Sequence, residues 1–144
     1  MTKANIINEL KTIIKQKGMK YTEQRAIILQ ILVNLDDHLN AEEIHSIIQQ
    51  EHPAQNIGIA TIYRTLNFLE EVNLISSISF GSEGKKYEGN QKEHHDHLIC
   101  TSCNKIVEFL DDSIEKKQED IACSNGFTIT DHSMQIYGLC KDCQ

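Results

Sequence analysis

The chain of 144 residues contains no tryptophan, a single proline and no long run of apolar residues. No stretch approaches the roughly 20 apolar residues of a transmembrane helix, so we do not expect a membrane-spanning protein. The five lysines of residues 1–20 are spread through an amphipathic pattern, unlike the compact apolar block of a signal peptide. We therefore expect a cytoplasmic protein that forms one domain or two small ones.

The small size of each half predicts that the fold needs additional stabilisation. Domains of roughly 60 to 80 residues bury little of their surface and commonly depend on a metal, a disulfide or a partner subunit. The chain contains five cysteines. In a reducing compartment they favour metal binding or redox sensing over a disulfide framework.

The net charge of −7 is unfavourable for nucleic-acid binding, but the negative charge is not evenly distributed along the chain. Residues 1–64 contain 7 Lys and Arg against 7 Asp and Glu, whereas residues 65–144 contain 7 against 14. Within residues 1–25 there are six basic and two acidic side chains. A positive surface that could contact phosphates is therefore predicted near the start of the chain, and divalent cations could offset the acidic second half.

The first half has the pattern of a winged helix-turn-helix domain. Apolar residues recur at helical spacing in residues 6–14, 26–32, 44–48 and 59–69. Thr22 and Asn40 are the predicted N-caps of the second and third helices, and Pro53 should end the third. Two strand candidates follow, at residues 74–80 and 85–88. The glycine-rich turn between them predicts a hairpin.

The fourth helix is the candidate DNA-recognition helix of this pattern. Its predicted buried stripe consists of Ile59, Ile62, Leu66 and Leu69. Thr61 and Arg64 lie off the stripe and Tyr63 lies at its edge, so these three side chains could reach outward. Tyr63 could contact a thymine methyl group, and Arg64 a phosphate or a guanine. The alternative is that both are ordinary surface residues.

The second half has an α/β pattern, so that the whole chain predicts an α+β fold. A polar run at residues 89–93 indicates a hinge. Three strand candidates and one helix candidate follow, at residues 98–100, 106–110, 127–139 and 113–124, respectively. Gly126 is expected near the C-terminal end of that helix. Cys123 is interpreted as a small buried residue of the same helix.

The strongest chemical signal is a pair of cysteine knuckles, Cys100-Thr-Ser-Cys103 and Cys140-Lys-Asp-Cys143. A two-residue spacer lets both thiolates of a knuckle reach one ion, and two knuckles complete a tetrahedral four-sulfur shell suited to zinc. The 36 residues between the knuckles exceed the usual zinc-ribbon spacing. The ion would therefore tie the end of the domain to its first strand. A redox CxxC motif or two unrelated thiol pairs are the alternatives.

A second cluster, His94-His95-Asp96-His97, precedes the first knuckle. Side chains alternate along an extended segment, so His95 and His97 should point one way and His94 and Asp96 the other. Two metal sites could share the segment, each completed by ligands from elsewhere. The candidate additional ligands are His38, Glu88, Glu108, Glu115 and His132. A solvated histidine-rich loop is the alternative.

Taken together, these motifs resemble the ferric uptake regulator (Fur) family from about residue 20 to residue 143, nearly the whole chain. The segments that carry the resemblance are Lys20-Tyr-Thr-Glu-Gln-Arg25, Gly58-Ile-Ala-Thr-Ile-Tyr-Arg-Thr-Leu66, His94-His-Asp-His-Leu-Ile-Cys100 with Cys103, and Cys140 with Cys143. Ile78-Ser-Phe-Gly-Ser with Gly84-Lys-Lys-Tyr-Glu88 is similar to Fur proteins of the Campylobacter and Helicobacter group.

The resemblance implies a homodimer, with a tetramer left open, that represses transcription by binding AT-rich palindromic double-stranded DNA operators when its sensing sites hold Fe(II). It implies a winged-helix DNA-binding domain at residues 1–88, a hinge at residues 89–93 and an α/β dimerisation and metal-binding domain at residues 94–144. Lys20 would contact a minor groove or its phosphates. Tyr63 and Arg64 would enter the major groove, and Thr61 is a further DNA-binding candidate.

The resemblance also implies which residues bind each metal. The four knuckle cysteines would hold structural Zn(II). The regulatory site would use His38, Glu88, His95 and His97, with Glu108 as a further carboxylate beside it. An additional site would use His94, Asp96, Glu115 and His132. Imidazole and carboxylate groups suit Fe(II), with Mn(II), Co(II) or Zn(II) as substitutes.

Functions other than iron sensing would be expected to have other sequence features. Peroxide sensors of this family characteristically have aspartate at the positions of Glu88 and Glu108. Zinc sensors often use a cysteine in the regulatory site, and this chain has no spare cysteine near that site. A zinc-stabilised interaction module without a DNA role would lack salt-dependent operator binding. An enzyme is not expected, because a four-thiolate shell is closed and neither an HExxH nor a deaminase motif is present.

Overall fold

The structure is a computed structural model that describes residues 3–90 and 93–144. The chain divides into two compact units, Met1–Lys92 and Glu93–Gln144. Residues 91 and 92 of the predicted hinge lie outside the described residues. Within the described ranges, no helix has the length and apolar character needed to cross a bilayer.

The first unit consists of helices followed by an antiparallel hairpin. In chain order its elements are α1 (Lys3–Gln16), α2 (Glu23–Leu35), α3 (Ala41–Glu51), α4 (Ile59–Glu71), β1 (Ile75–Ser79) and β2 (Lys85–Gly89). One-turn 3-10 helices lie at Pro53–Gln55 and Gly81–Glu83. The predicted helices and hairpin are therefore confirmed, in the order of a helix-turn-helix with a wing.

A single apolar core positions α4 within this unit. α1 contributes every third or fourth residue to the core, and α2 is buried along most of its length. From α4, Ile62, Leu66 and Leu69 are completely buried. Truncating one of these side chains to alanine would cost roughly 2 to 5 kcal/mol of stability. The outward face of α4 is thus presented by a firmly packed helix.

One detail of the predicted helices is wrong. Ile59 was expected in the buried stripe of α4 but is 38% exposed, because it is the first residue of the helix and lies beyond the core; Thr65 is buried instead. The predicted N-cap position of Thr22 before α2 is confirmed, although its side chain makes no capping hydrogen bond. Asn40, by contrast, caps α3 as predicted.

The turn of the hairpin depends on two glycines. Gly81 and Gly84 have φ angles of +64° and +87°, a region that residues with a Cβ rarely adopt. The N–H of Phe80 donates to the carbonyl of Gly84 at 2.8 Å and closes the loop. The predicted glycine-rich turn is confirmed, and it brings Lys85 and Lys86 back along the edge of β1.

The second unit is a three-stranded sheet with one helix. Its elements are β3 (Asp96–Cys100), β4 (Ile106–Phe109), α5 (Asp112–Ser124), β5 (Gln135–Gly138) and a 3-10 helix at Lys141–Cys143. The strand order is β4-β3-β5, with β4 antiparallel and β5 parallel to β3. Gly126, with a φ of +76°, follows the end of α5 as predicted. The α+β fold class is confirmed.

The second unit also corrects two predictions. The strand expected over residues 127–139 is confined to Gln135–Gly138, and residues 127–134 have no regular structure. Their β-branched residues have the propensity for a strand, but among the described residues no strand pairs with residues 127–134. Cys123 is exposed rather than buried, because no residue of α5 reaches full burial within this unit.

Candidate metal centres and nucleic-acid surface

The four knuckle cysteines lie together at one end of the second unit. Cys100 ends β3, and Cys140 and Cys143 bracket the final 3-10 helix. All four sulfur atoms lie within 4.8 Å of one another, and Cys103 Sγ is 3.7 Å from Cys140 Sγ. Tetrahedral zinc with bonds of about 2.3 Å requires sulfur–sulfur separations of about 3.8 Å. The cluster therefore has the spacing of a closed four-sulfur site.

The thiols of this cluster do not ionise equally. Backbone N–H groups of Cys103 and Cys140 lower the pKa of the Cys100 thiol to about 6. A hydrogen bond from Ser102 lowers the pKa of Cys143, but hydrogen bonds with the other thiols, Cys140 first, raise it to about 12. Adjacent thiolates repel one another, so four can coexist only around a cation. The donor set fits a divalent metal.

A second cluster in the same unit consists of His94, Asp96, Glu115 and His132. The ligand atoms of these residues all lie within 4.8 Å of one another. His94 Nε2 is 3.4 Å from both Asp96 Oδ1 and Glu115 Oε1, and His132 Nε2 is 3.1 Å from Glu115 Oε1. Donor atoms about 3.0 to 3.4 Å apart surround an ion bound at about 2.1 Å. This set has that spacing.

Asp96 gives the clearest evidence that this second cluster fits a cation. Its side chain is completely buried, and neither carboxylate oxygen accepts a hydrogen bond from the described residues. His94 Nε2 approaches Asp96 Oδ1 to 3.4 Å. A buried carboxylate that lacks hydrogen bonds costs several kcal/mol unless a charge compensates it. A cation among these four ligands would supply that compensation.

The first unit places two of the predicted regulatory ligands side by side. His38 Nε2 lies 3.1 Å from Glu88 Oε2, and both side chains are more than nine-tenths buried. An isolated β-bridge, in which Leu39 and Tyr87 exchange backbone hydrogen bonds of 2.9 and 2.8 Å, holds them in register. The segment before α3 and the wing strand β2 therefore present one imidazole and one carboxylate together.

In the second unit, His95, His97 and Glu108 lie on one side of β3. The His95 and His97 ring centroids are 4.8 Å apart, and His97 is opposite Glu108 in the β3–β4 register. His95 Nδ1 lies 2.9 Å from the Glu93 carbonyl, which can only accept, so Nδ1 carries the proton. Nε2, which lies 3.5 Å from Glu108 Oε1, then has the lone pair that a metal would require.

These contacts confirm the predicted alternation along the histidine-rich segment. His95 pairs with His97 on one side, while His94 and Asp96 contact each other on the other. Glu108 lies beside His95. The strand geometry of β3 thus directs one short segment into two separate clusters.

The predicted DNA-contacting side chains are accessible in the first unit. Lys20, Tyr63 and Arg64 are exposed, and Thr61 is half-buried. The Arg64 guanidinium donates to the Thr61 hydroxyl at 3.2 Å, so Thr61 braces Arg64 along α4. Tyr63 donates its hydroxyl to Glu42 Oε1 at 3.0 Å. Residue spacing does not predict the Glu42 contact, because 21 residues separate the partners.

Arg25 makes a second contact that residue spacing does not predict. Its Nη1 donates to the Lys20 carbonyl at 3.0 Å, and its guanidinium lies 4.8 Å from the centre of the Phe68 ring of α4. Arg25 therefore connects the segment that carries Lys20 to α4. Phe68 is far from Arg25 in the chain, so the spacing of residues in the sequence does not predict this contact.

Comparison with known proteins decides the family. The model of the ferric uptake regulator family matches residues 16–137. The chain is 50% identical over 138 residues to the ferric uptake regulation protein of Campylobacter jejuni, and the match covers 96% of this chain and 88% of that protein. The chain belongs to the ferric uptake regulator family. It is therefore a member of a family of metal-responsive transcription regulators, which are not enzymes.

Solved structures of Fur-family proteins match the fold. The Helicobacter pylori ferric uptake regulator, which has three functional metal-binding sites, is similar with a TM-score of 0.87 and 38% identity, over 99% of this chain and 94% of that chain. The Campylobacter jejuni peroxide stress regulator is similar with a TM-score of 0.70 and 28% identity, over 95% and 98%. The resemblance to the Campylobacter and Helicobacter group is confirmed.

Proposed function

We propose that this chain is an iron-sensing transcriptional repressor that binds AT-rich palindromic operators as a homodimer. The observation that carries the proposal is the coexistence of two ligand chemistries on one chain. The second unit gathers four thiols in one cluster and imidazole and carboxylate groups in others. Thiolates favour zinc, whereas imidazole and carboxylate are harder donors that suit Fe(II). Such a chain can retain one metal while it senses another.

The zinc proposed for Cys100, Cys103, Cys140 and Cys143 has a structural role. A closed tetrahedral shell leaves no position for substrate or water. The ion joins the end of β3 to the last residues of the chain, and α5 contributes no fully buried residue to this unit. In a unit with so small a core, metal binding contributes directly to folding.

The regulatory ion is proposed to bind His38 and Glu88 from the first unit and His95 and His97 from the second, with Glu108 as a nearby carboxylate. This assignment follows the family resemblance. The short contact between His38 and Glu88 supports it, as does the proton on Nδ1 of His95. An ion that takes ligands from both units selects one relative orientation of them, and a ligand shifts a conformational equilibrium through such a difference in affinity.

The inner cluster of His94, Asp96, Glu115 and His132 is proposed as an additional metal site. It lies wholly within the second unit. Metal there can stabilise that unit but has no ligand from the DNA-binding half. We therefore expect its loss to weaken metal-activated DNA binding less than loss of the regulatory site does.

The DNA contacts are proposed for Lys20, Thr61, Tyr63 and Arg64. Exposed Tyr63 and Arg64 on the second helix of a helix-turn-helix suit the major groove, and Lys20 suits a minor groove or its phosphates. Two copies of α4 in a homodimer would contact successive half-sites of a palindrome. Glutamates at positions 88 and 108, together with the higher identity to a Campylobacter Fur protein than to a Campylobacter peroxide regulator, favour iron sensing.

The test is an anaerobic titration of DNA binding with Fe(II), Mn(II) and Zn(II) supplied separately, followed by exposure to peroxide. An iron sensor gains affinity for an AT-rich palindrome with Fe(II) or its substitute Mn(II), and this gain persists through low peroxide. Rapid loss of binding after peroxide only in the Fe(II) sample would identify a peroxide sensor instead. Activation by Zn(II) alone would identify a zinc sensor, and no metal-dependent binding would refute the proposal.

A further inference from the structure

The outward tyrosine of α4 is held by a carboxylate from the neighbouring helix. Tyr63 is 43% exposed, and its hydroxyl donates to Glu42 Oε1 at 3.0 Å. The hydrogen bond to Glu42, then burial and the negative charge of Glu42, raise the pKa of Tyr63 above its ordinary value. The Tyr63 phenol therefore stays protonated throughout the neutral range and remains the donor of this hydrogen bond.

Glu42 reaches across from the most constrained turn of α3. The Asn40 side chain accepts from the Glu43 N–H at 2.8 Å, and the Glu43 carboxylate accepts from the Asn40 N–H at 2.9 Å. This reciprocal capping box fixes the first helical turn. The Glu43 carboxylate closes the cap, and the neighbouring Glu42 carboxylate accepts from Tyr63 on α4. Glu42 therefore extends from a helical turn whose backbone is fixed by the cap.

The contact has two opposite consequences for DNA binding. An exposed tyrosine on a helix samples more than one staggered rotamer, and a hydrogen bond to a fixed group selects one of them. If the Tyr63 rotamer is already selected in the free protein, binding does not have to order this side chain. For one side chain, that saving corresponds to roughly 2- to 10-fold in affinity. A carboxylate beside the same ring repels phosphates of any sequence. Orientation favours the correct bases, while charge disfavours all DNA.

We propose that Glu42 is a positioning residue that determines sequence specificity, because it holds Tyr63 in one orientation towards the bases; its charge separately weakens binding to DNA of every sequence. The inference rests on the proposed role of α4 as the recognition helix. It assigns to α3 a share in specificity without requiring that Glu42 touch a base.

The experiment measures two affinities for each variant in the presence of Mn(II). The probes are an AT-rich palindromic duplex, enriched from a random pool by the wild-type protein, and a shuffled duplex of the same length and composition. The variants are Tyr63→Phe, Glu42→Ala and the double variant. Tyr63→Phe retains the ring and leaves α3 unchanged, so its effect does not depend on the stability of that helix. Glu51→Ala, an exposed position at the other end of α3, is the charge control.

Both single variants should lower the ratio of palindrome to shuffled affinity by roughly 2- to 10-fold, and the double variant should lower it no further than either one. Glu42→Ala should also strengthen binding to the shuffled duplex, which Tyr63→Phe should leave unchanged. Glu51→Ala should leave the ratio at the wild-type value.

Three results would overturn the inference. The ratio could stay at the wild-type value in Tyr63→Phe, or the two losses could multiply in the double variant, which would mean that the residues act independently. Alternatively, Glu51→Ala could reproduce the Glu42→Ala loss, which would indicate a general charge effect. If the wild-type protein shows no preference for any palindrome, the proposed function fails first, and the inference fails with it.

Discussion

Replacing Asp96 by Asn tests whether the inner cluster is a metal site or a set of ion pairs. Asp96 is completely buried, and neither carboxylate oxygen accepts a hydrogen bond from the described part of the chain. If the carboxylate binds a cation, its unpaired charge destabilises the protein when no ion occupies this cluster. The amide has nearly the same shape without the charge. We therefore expect the metal-free variant to be as stable as the parent, or more stable by about 1 kcal/mol.

In the metal-bound protein, Asp96→Asn should lower the stability. An ion present at 100 times its dissociation constant stabilises the fold by about 2.7 kcal/mol, whereas a variant with 100-fold weaker affinity would retain about 0.4 kcal/mol. For a small unit, the first value corresponds to a rise of roughly 10 to 20 °C in the thermal midpoint. Asp96→Asn should therefore remove nearly all of the metal-induced rise while it leaves the metal-free midpoint intact.

The assay is thermal unfolding with and without Mn(II), on protein that retains its zinc. A His95→Ala background removes a ligand of the proposed regulatory site, so that Mn(II) binding there does not contribute. Asp120→Asn, an exposed position on α5, is the matched control and should keep the full metal-induced rise. Suppose instead that Asp96→Asn lowers the metal-free midpoint and leaves the Mn(II) effect unchanged. Asp96 would then serve an ion pair with His94, and the inner cluster would not be a metal site.

Three further predictions address the other elements. Cys140→Ser should reduce bound zinc, measured by elemental analysis, and lower the thermal midpoint, whereas Cys123→Ser should change neither; normal zinc content in Cys140→Ser would contradict the four-sulfur site. Asn40→Ala removes the capping box of α3 and should cost about 1 kcal/mol in urea unfolding, with an unchanged value refuting the cap. Arg64→Ala should weaken operator binding without loss of zinc; if Arg64 contacts only phosphate, all sequences should weaken alike and the salt slope should fall by roughly one.

Features of the site that are local in the chain could be predicted from the sequence. The alternation of His94, His95, Asp96 and His97 follows from strand geometry, and the structure separates them into two clusters accordingly. The CxxC spacing likewise predicted that both thiols of a knuckle approach one point. In both cases a few consecutive residues contain the whole geometric argument.

Features that depend on tertiary position could not be predicted in the same way. Ile59 fits the apolar spacing of α4, but whether the first turn lies over the core depends on the packing of α1 to α3. Residues 127–134 have strand propensity, yet a strand requires a partner, and β5 pairs with β3 only from Gln135. The contact between Glu42 and Tyr63 requires the angle between α3 and α4, which no spacing rule supplies.

The most direct test of iron-dependent repression measures operator affinity with and without Fe(II) under anaerobic conditions, for the wild type and for His95→Ala, Glu88→Ala and His132→Ala. Metal should strengthen wild-type binding by roughly 5- to 150-fold, the usual range of allosteric coupling. His95→Ala and Glu88→Ala should lose this gain while they remain folded, and His132→Ala should keep most of it. Full metal activation in His95→Ala together with its loss in His132→Ala would contradict the account and assign regulation to the inner site.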